Sequence, residues 1–325
     1  MVDQAEKSYI VRLGEFVLKD YRYAILVTLT LAFLDYYMPI LGSVVCVVLG
    51  LVVLNKPERE SLLLSVIVTI LTLFTTYYEL QVLPPSAEAL KLPMILMSAY
   101  GPVATWLGCS ILRKYKSFSL VIEGLSILAM VLLLLIYIVN IDIQYELATY
   151  INPMLREFAN ANPTYDTTNL KALLANSLIG IVMLPKMLMA VIYIVLAYKW
   201  SSGLVGKPKK TRALLKVVKL SYLFYLTVIV AFLLLTLLNM MSNHPVNAAF
   251  VSCANLLPVV TLTCAFGGLS LFYLYLDTTK MKKKQKLITE CFFYFFLYIM
   301  PYFLVVLAVL GILGSGTSLR KKLTK

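Results

Sequence analysis

Residues 172–198 read ALLANSLIGIVMLPKMLMAVIYIVLAY, a run of 27 mostly apolar residues that decides the fold class. A helix needs about 20 apolar residues to cross the roughly 30 Å hydrocarbon core of a bilayer, so this run predicts a membrane span. The loop that follows carries seven basic residues between positions 199 and 219 and no acidic one. Because such a loop resists translocation, we expect it in the cytoplasm, which fixes the orientation of the span.

The composition of the whole chain is typical of a membrane protein. Of its 325 residues 61% are hydrophobic and only 14% are charged, whereas a soluble protein carries about 25% charged residues. Repeated apolar runs of about 20 residues predict an all-α, polytopic transmembrane helical bundle. The net charge of +13 lies mainly in short loops beside these runs. We therefore expect the chain to contact a lipid bilayer and not nucleic acid.

Nine spans are predicted when the apolar runs are counted outward from the central one. They are the runs 24–34, 40–54, 61–78, 92–112, 117–139, 172–198, 221–241, 247–276 and 291–313. The first two runs predict a tight hairpin of two short helices. They can instead form one long, kinked span, which gives an alternative count of eight. In both counts the basic tail, with Arg320, Lys321 and Lys322, lies on the outer side, against the charge rule.

The sequence predicts a single integral membrane domain over residues 1–325. Residues 1–23 are expected to be a cytoplasmic amphipathic segment, followed by spans 1–5 over 24–139, spans 6–9 over 172–313 and a basic tail over 314–325. Between the two groups of spans, residues 140–171 carry apolar residues at helical spacing and predict an amphipathic helix on the outer side. This helix is either a connector that lies on headgroups or a lid over a cavity.

Lys186 is the most informative candidate for a binding site, because it follows Pro185 near the middle of the central span. A charge at this depth costs a few kcal/mol and needs a partner. Among the acids predicted within the membrane or at its edge, Glu123 and Asp35 lie closest to Lys186 in the predicted topology. Either Lys186 forms a structural ion pair or snorkels, or it belongs to a substrate or ion site. Asn255, in an eighth span that a proline and two glycines interrupt, is a weaker candidate, acting between helices.

Few features of the sequence point to catalysis. The only histidine, His244, lies in a tight turn, and the five cysteines have no metal-ligand spacing. We therefore expect no enzyme, no metal site and no cofactor. Asp35, Glu79 and Glu88 are all predicted on the outer side, but sequence does not show whether any two of them are close.

Ala24, Thr28 and Ala32 repeat at every fourth position of the first span. This spacing puts three small side chains on one helix face, where another helix can approach closely. The approaching helix belongs either to this chain or to another membrane protein.

Several segments resemble a known family. They are the run from Ala24 to Gly42 that contains Asp35-Tyr-Tyr-Met-Pro, the charged turn 56–60, and the motifs in 255–258, 266–270 and 310–314. Together they resemble the YybS-like bacterial membrane proteins, whose activity is unassigned. That family is itself similar to the substrate-capture components of energy-coupling-factor vitamin transporters. The resemblance implies a multi-pass protein of the bacterial cytoplasmic membrane whose small-residue stripe docks on a coupling subunit, although those components usually have six spans.

Two functions are open at this point. Lys186, the interrupted eighth span and the small-residue stripe favour a solute-capture or transport-associated protein whose small-molecule substrate is unknown. The alternative is a structural or scaffolding protein that binds partners through its basic loops. A polar cavity beside Lys186 would favour capture, and a dry, paired carboxylate there would favour scaffolding.

Overall fold

The computed structural model describes residues 9–35, 37–38, 40–82, 88–143, 145–147, 149, 157, 167–206, 211–216, 218–241, 248–279, 281–300 and 302–316. Within these residues the chain is helical and contains no strand, as the sequence predicts. The thirteen α-helices found there are α1 Tyr9–Lys19, α2 Tyr21–Asp35, α3 Ile40–Asn55, α4 Glu58–Glu79, α5 Glu88–Ser98, α6 Tyr100–Tyr115, α7 Phe118–Val139, α8 Thr167–Leu204, α9 Thr211–Leu215, α10 Tyr222–Met240, α11 Ala248–Thr278, α12 Lys283–Ile299 and α13 Phe303–Gly316.

Six stretches of the described chain are long and apolar enough to cross a membrane, which makes this a multi-pass membrane protein. These are Glu58–Val82, Leu90–Tyr115, Phe118–Val139, Asn176–Leu204, Tyr222–Met240 and Ala248–Thr278. They correspond to the third through eighth predicted spans. The predicted count of nine is not confirmed, because the first, second and last predicted spans consist of shorter helices.

The first two predicted spans form a short hairpin. Helix α2 has 15 residues and α3 has 16, so at about 1.5 Å per residue both are shorter than the roughly 30 Å hydrocarbon core. The two helices pack against each other, which excludes one kinked helix. Ser43 Oγ lies 3.0 Å from the hydroxyl of Tyr193, and Ser201 donates to Asn55 at 3.1 Å. Residue numbers rise together along these contacts, so α3 and α8 run in the same direction.

The ninth predicted span, over residues 291–313, is not one continuous helix. Helix α12 ends at Ile299 and α13 begins at Phe303. The break has a physical reason, because the residue before a proline is disfavoured in the α conformation. Met300, which precedes Pro301, has φ −118° and ψ 82°, outside that conformation. The predicted last span is therefore two helices joined by a tight turn.

The predicted interruption of the eighth span is wrong, because α11 is one helix through Pro258 and both glycines. The glycines instead permit close contact with α13. Gly311 lies against Gly267 and Gly268, and Gly314 lies against Leu271, three residues further along α11. Helices α11 and α13 therefore run in the same direction and end on the same side of the bundle.

The amphipathic helix predicted at the amino terminus is present as α1. Trp200 at the end of α8 donates its indole N–H to the carbonyl of Ile10 at 2.9 Å. Phe16 and the side chain of Ile10 remain exposed, which is typical of an apolar face that lies on headgroups. The second predicted amphipathic segment, 140–171, and His244 fall largely outside the described residues.

Candidate functional site

Asp35 is the last residue of α2 and lies at the tip of the α2–α3 hairpin. Its Oδ1 atom accepts a hydrogen bond of 2.6 Å from the backbone N–H of Gly42, in the first turn of α3. A Cβ at position 42 would lie 2.6 Å from Oδ2 and 2.9 Å from Oδ1, so only glycine permits this approach. The carboxylate therefore caps the positive end of α3.

The cap engages only one oxygen of the Asp35 carboxylate. Within the part of the chain that the structure describes, Gly42 is its only hydrogen-bond donor and no cation pairs with it. Asp35 also lines a groove of 510 Å³ between the hairpin and α4. One oxygen of a charged group thus remains available beside an open space.

The groove combines aromatic rings with acidic groups. Its rings are Phe33 of α2 and Phe74 and Tyr78 of α4, and its polar residues include Thr75 and a second carboxylate, Glu79. The rings expose 69%, 65% and 63% of their surface, so the groove is open along one side. Of the described residues that line it, two are acidic and none is basic.

The hairpin tip lies near the middle of the bundle. Tyr193, which contacts Ser43 just beyond the tip, lies 17 positions after Asn176 and 11 before Leu204, the limits of the apolar stretch of α8. At about 1.5 Å per residue, this contact is about 16 Å from the end of α8. A membrane that covers this stretch would hold the Asp35 carboxylate well inside its hydrocarbon core.

Lys186 is half-buried on α8, which continues as a helix through Pro185. It makes no hydrogen bond or ion pair with any described residue. It lines neither the Asp35 groove nor an apolar cavity of 280 Å³ between α8, α11, α12 and α13. The structure therefore does not bring Lys186 together with Glu123 or Asp35, the two partners that the sequence suggested.

Glu123 is engaged elsewhere, at the start of α10. It is 6% exposed and accepts hydrogen bonds from the backbone N–H of Ser221 at 2.5 Å and from its hydroxyl at 2.8 Å. Ser221 is the residue that precedes the first turn of α10. The negative charge of Glu123 is thus stabilised by the positive end of that helix, and its role is to hold α7 and α10 together.

Asn255 joins three helices through a fully buried amide. Its Nδ2 atom donates to the hydroxyl of Tyr137 at 2.8 Å and to the carbonyl of Asn176 at 2.6 Å, and also to Val251 on its own helix at 3.0 Å. Its Oδ1 atom accepts from the N–H of Gly180 at 3.1 Å. Because these partners occupy the amide, Asn255 connects α7, α8 and α11 and has no free donor for a solute.

The small-residue stripe is covered largely by this chain's own helices. Ala24 and Thr28 are 1% and 0% exposed. Ala32 is half-buried and lines the same groove as Asp35. The stripe therefore forms the inner side of α2, which positions Asp35 against α4.

The sequence did not predict the α4 side of the groove, formed by Phe74, Thr75, Tyr78 and Glu79. The sequence feature that could have indicated it is a polar residue and an acid four positions apart, Thr75 and Glu79, at the end of an apolar run. These two residues line a groove only because α2 packs beside them, and the structure is needed to show which helix does so. Comparison of the chain with models of protein families, with curated proteins and with solved structures found no match.

Proposed function

We propose that this protein binds a solute beside the α2–α3 hairpin and takes part in its transport across a bacterial cytoplasmic membrane. The observation that carries the proposal is the Asp35 carboxylate, which has no cationic partner among the described residues and lines an open groove. An ionisable side chain within a membrane is costly and marks substrate or ion pathways. A cap alone needs only one hydrogen-bonding oxygen, and Asn or Ser would provide it without the charge.

A scaffold that binds partners through its basic loops is the second candidate. Some basic residues at the cytoplasmic ends of the predicted spans are already engaged within the chain. Arg113 donates to the carbonyls of Val53 and Lys56 at 2.9 and 2.5 Å, and Lys216 pairs with Asp277. These contacts join helices of the same molecule, and scaffolding does not account for an open groove with two acids.

We further propose six crossings and two hairpins, α2–α3 and α12–α13, that enter from the cytoplasmic side, in place of the nine crossings of the sequence prediction. The parallel pairs α3 with α8 and α11 with α13 support this topology, since α8 and α11 both lead to basic loops. The basic tail then lies in the cytoplasm, in agreement with the charge rule. A reporter fused after Lys321 is expected to give a cytoplasmic signal, and an outer signal would favour the nine-crossing arrangement.

The solute proposal is tested with the purified full chain in proteoliposomes. Cationic, anionic and neutral solutes are screened for binding, as a rise in unfolding temperature, and for transport, as current on a solid-supported membrane. We expect at least one class of solute to give a response that Asp35→Asn weakens and Glu88→Gln retains. Glu88 is exposed at the start of α5 and does not line the groove, so it is a matched control. Responses no greater than those of protein-free liposomes would contradict the proposal.

A further inference from the structure

We infer that the groove between the α2–α3 hairpin and α4 binds a lipophilic organic cation. This inference rests on the proposed function and names the substrate class of the same site. The volume of 510 Å³ lies within the range of about 300–1,000 Å³ that is common for small-molecule sites.

The charge of the groove selects a cation. Asp35 and Glu79 are its charged residues in the described part of the chain, and an anion would be repelled by both. In the low-dielectric surroundings of a membrane the field of these two charges is weakly screened, so a cation in the groove is attracted more strongly than it would be in water.

The aromatic rings select an organic cation. Phe33, Phe74 and Tyr78 present ring surface, and a cation over an aromatic face is attracted by the negative potential of the ring. Ca²⁺ or Mg²⁺ instead requires about six or more oxygen ligands, from the protein or from water. Among the described residues, no group of three His, Cys, Asp or Glu side chains has the arrangement to hold a metal.

The open side of the groove selects a lipophilic ligand. Among the described residues, the three rings are largely exposed along this side. A ligand that partitions into the bilayer is concentrated next to this opening and can enter laterally. A strongly hydrated cation would have to lose its water before it reached the two carboxylates.

The test compares two probes of the same shape and opposite charge, tetraphenylphosphonium and tetraphenylborate. Binding of each is measured by equilibrium dialysis against the full chain in phosphatidylcholine nanodiscs, with protein-free nanodiscs as the measure of partition into lipid. We expect saturable binding of tetraphenylphosphonium and none of tetraphenylborate.

Variants then assign the binding to the groove. Glu79→Gln and Phe74→Leu are each expected to weaken tetraphenylphosphonium binding about ten-fold, which corresponds to about 1.4 kcal/mol. Glu88→Gln and Phe292→Leu are the matched controls and should bind as the wild type does, because neither residue lines the groove. Both groove variants change exposed side chains, so misfolding is not expected to obscure the result.

The outcomes separate this inference from the proposed function. If a neutral or anionic solute responds in the screen and Asp35→Asn weakens that response, the protein binds a solute at the hairpin but the cation assignment is overturned. Equal binding of the two probes, or undiminished binding in Glu79→Gln, also overturns it. If no solute and neither probe binds above the lipid background, both the inference and the proposed function fail.

Discussion

Replacing Gly311 with alanine tests the parallel packing of α13 on α11, on which the second hairpin depends. A Cβ at this position would lie 2.8 Å from the backbone nitrogen of Gly268 and 2.9 Å from the carbonyl carbon of Cys264, and closer still to the carbonyl oxygen of Cys264. Ordinary contact begins at 3.4 Å, so the helices must separate by at least 3.4 − 2.8 = 0.6 Å. Since the obstacles are backbone atoms, rotation of a side chain cannot relieve the overlap.

The expected cost follows from two opposing effects. Overpacking of a closely packed site costs about 1–3 kcal/mol, whereas alanine gains up to about 1 kcal/mol over glycine from helix propensity. We therefore expect Gly311→Ala to lower the free energy of unfolding by up to about 2 kcal/mol relative to the wild type, and by about 1–3 kcal/mol relative to a glycine-to-alanine change without the overlap.

Gly203→Ala is the matched control, because no atom beyond the adjoining backbone of its own helix lies within 4 Å of the added methyl group. It keeps the helix propensity effect and lacks the overlap, so its stability should equal or exceed that of the wild type. The free energy of unfolding of both variants is measured by steric trapping in bicelles. If Gly311→Ala proved as stable as Gly203→Ala, the close approach of α11 and α13 would be refuted.

Three further predictions concern the polar residues inside the bundle. Asn255→Ala removes three hydrogen bonds to two other helices. At about 0.6 kcal/mol for each bond, it should lower the free energy of unfolding by about 2 kcal/mol in the same assay. An unchanged free energy of unfolding would contradict the hydrogen bonds of this amide. Gly42→Ala should lower stability by about 1 kcal/mol through loss of the cap, and Asp35→Ala, which removes the accepting oxygen, should add little in that background. Full additivity of the two changes would show that the residues are not coupled. Lys186→Met should leave stability equal or raise it, because no described group pairs with the ammonium; a clear loss would reveal a stabilising partner.

The six long spans could be predicted because their signal is local. An uninterrupted apolar run such as Phe118–Val139 has one stable state in a bilayer, since only a helix satisfies its backbone groups internally. The neighbours of the run do not change this result, so the predicted limits of this span, 117–139, agree with the helix to within one residue.

The α2–α3 hairpin could be predicted from the sequence, but the α12–α13 hairpin and the groove could not, because their signals depend on other helices. Apolar runs of 11 and 15 residues, as in α2 (24–34) and α3 (40–54), are too short to distinguish a short crossing from a buried core helix. Asp35 and Glu79 are separated by 44 positions, and only the packing of the hairpin on α4 puts both on one groove. The glycines of α11 illustrate the same limit, because a glycine pair reads as an interruption until the Gly311 backbone is found against it.

A comparison of the two hairpin tips indicates why the charge of Asp35 needs more than a structural explanation. Each tip closes backbone hydrogen bonds of its own, from Met38 to Leu34 at 3.0 Å in the first and from Phe303 to Met300 at 2.9 Å in the second. The described residues of the second tip include no acid, so a short helical turn of this kind can end among apolar surroundings without a carboxylate. In the first tip a charge is retained although it has no cationic partner among the described residues. A charge that the turn does not need, at a depth where it is costly, is most simply explained by a ligand of the opposite sign.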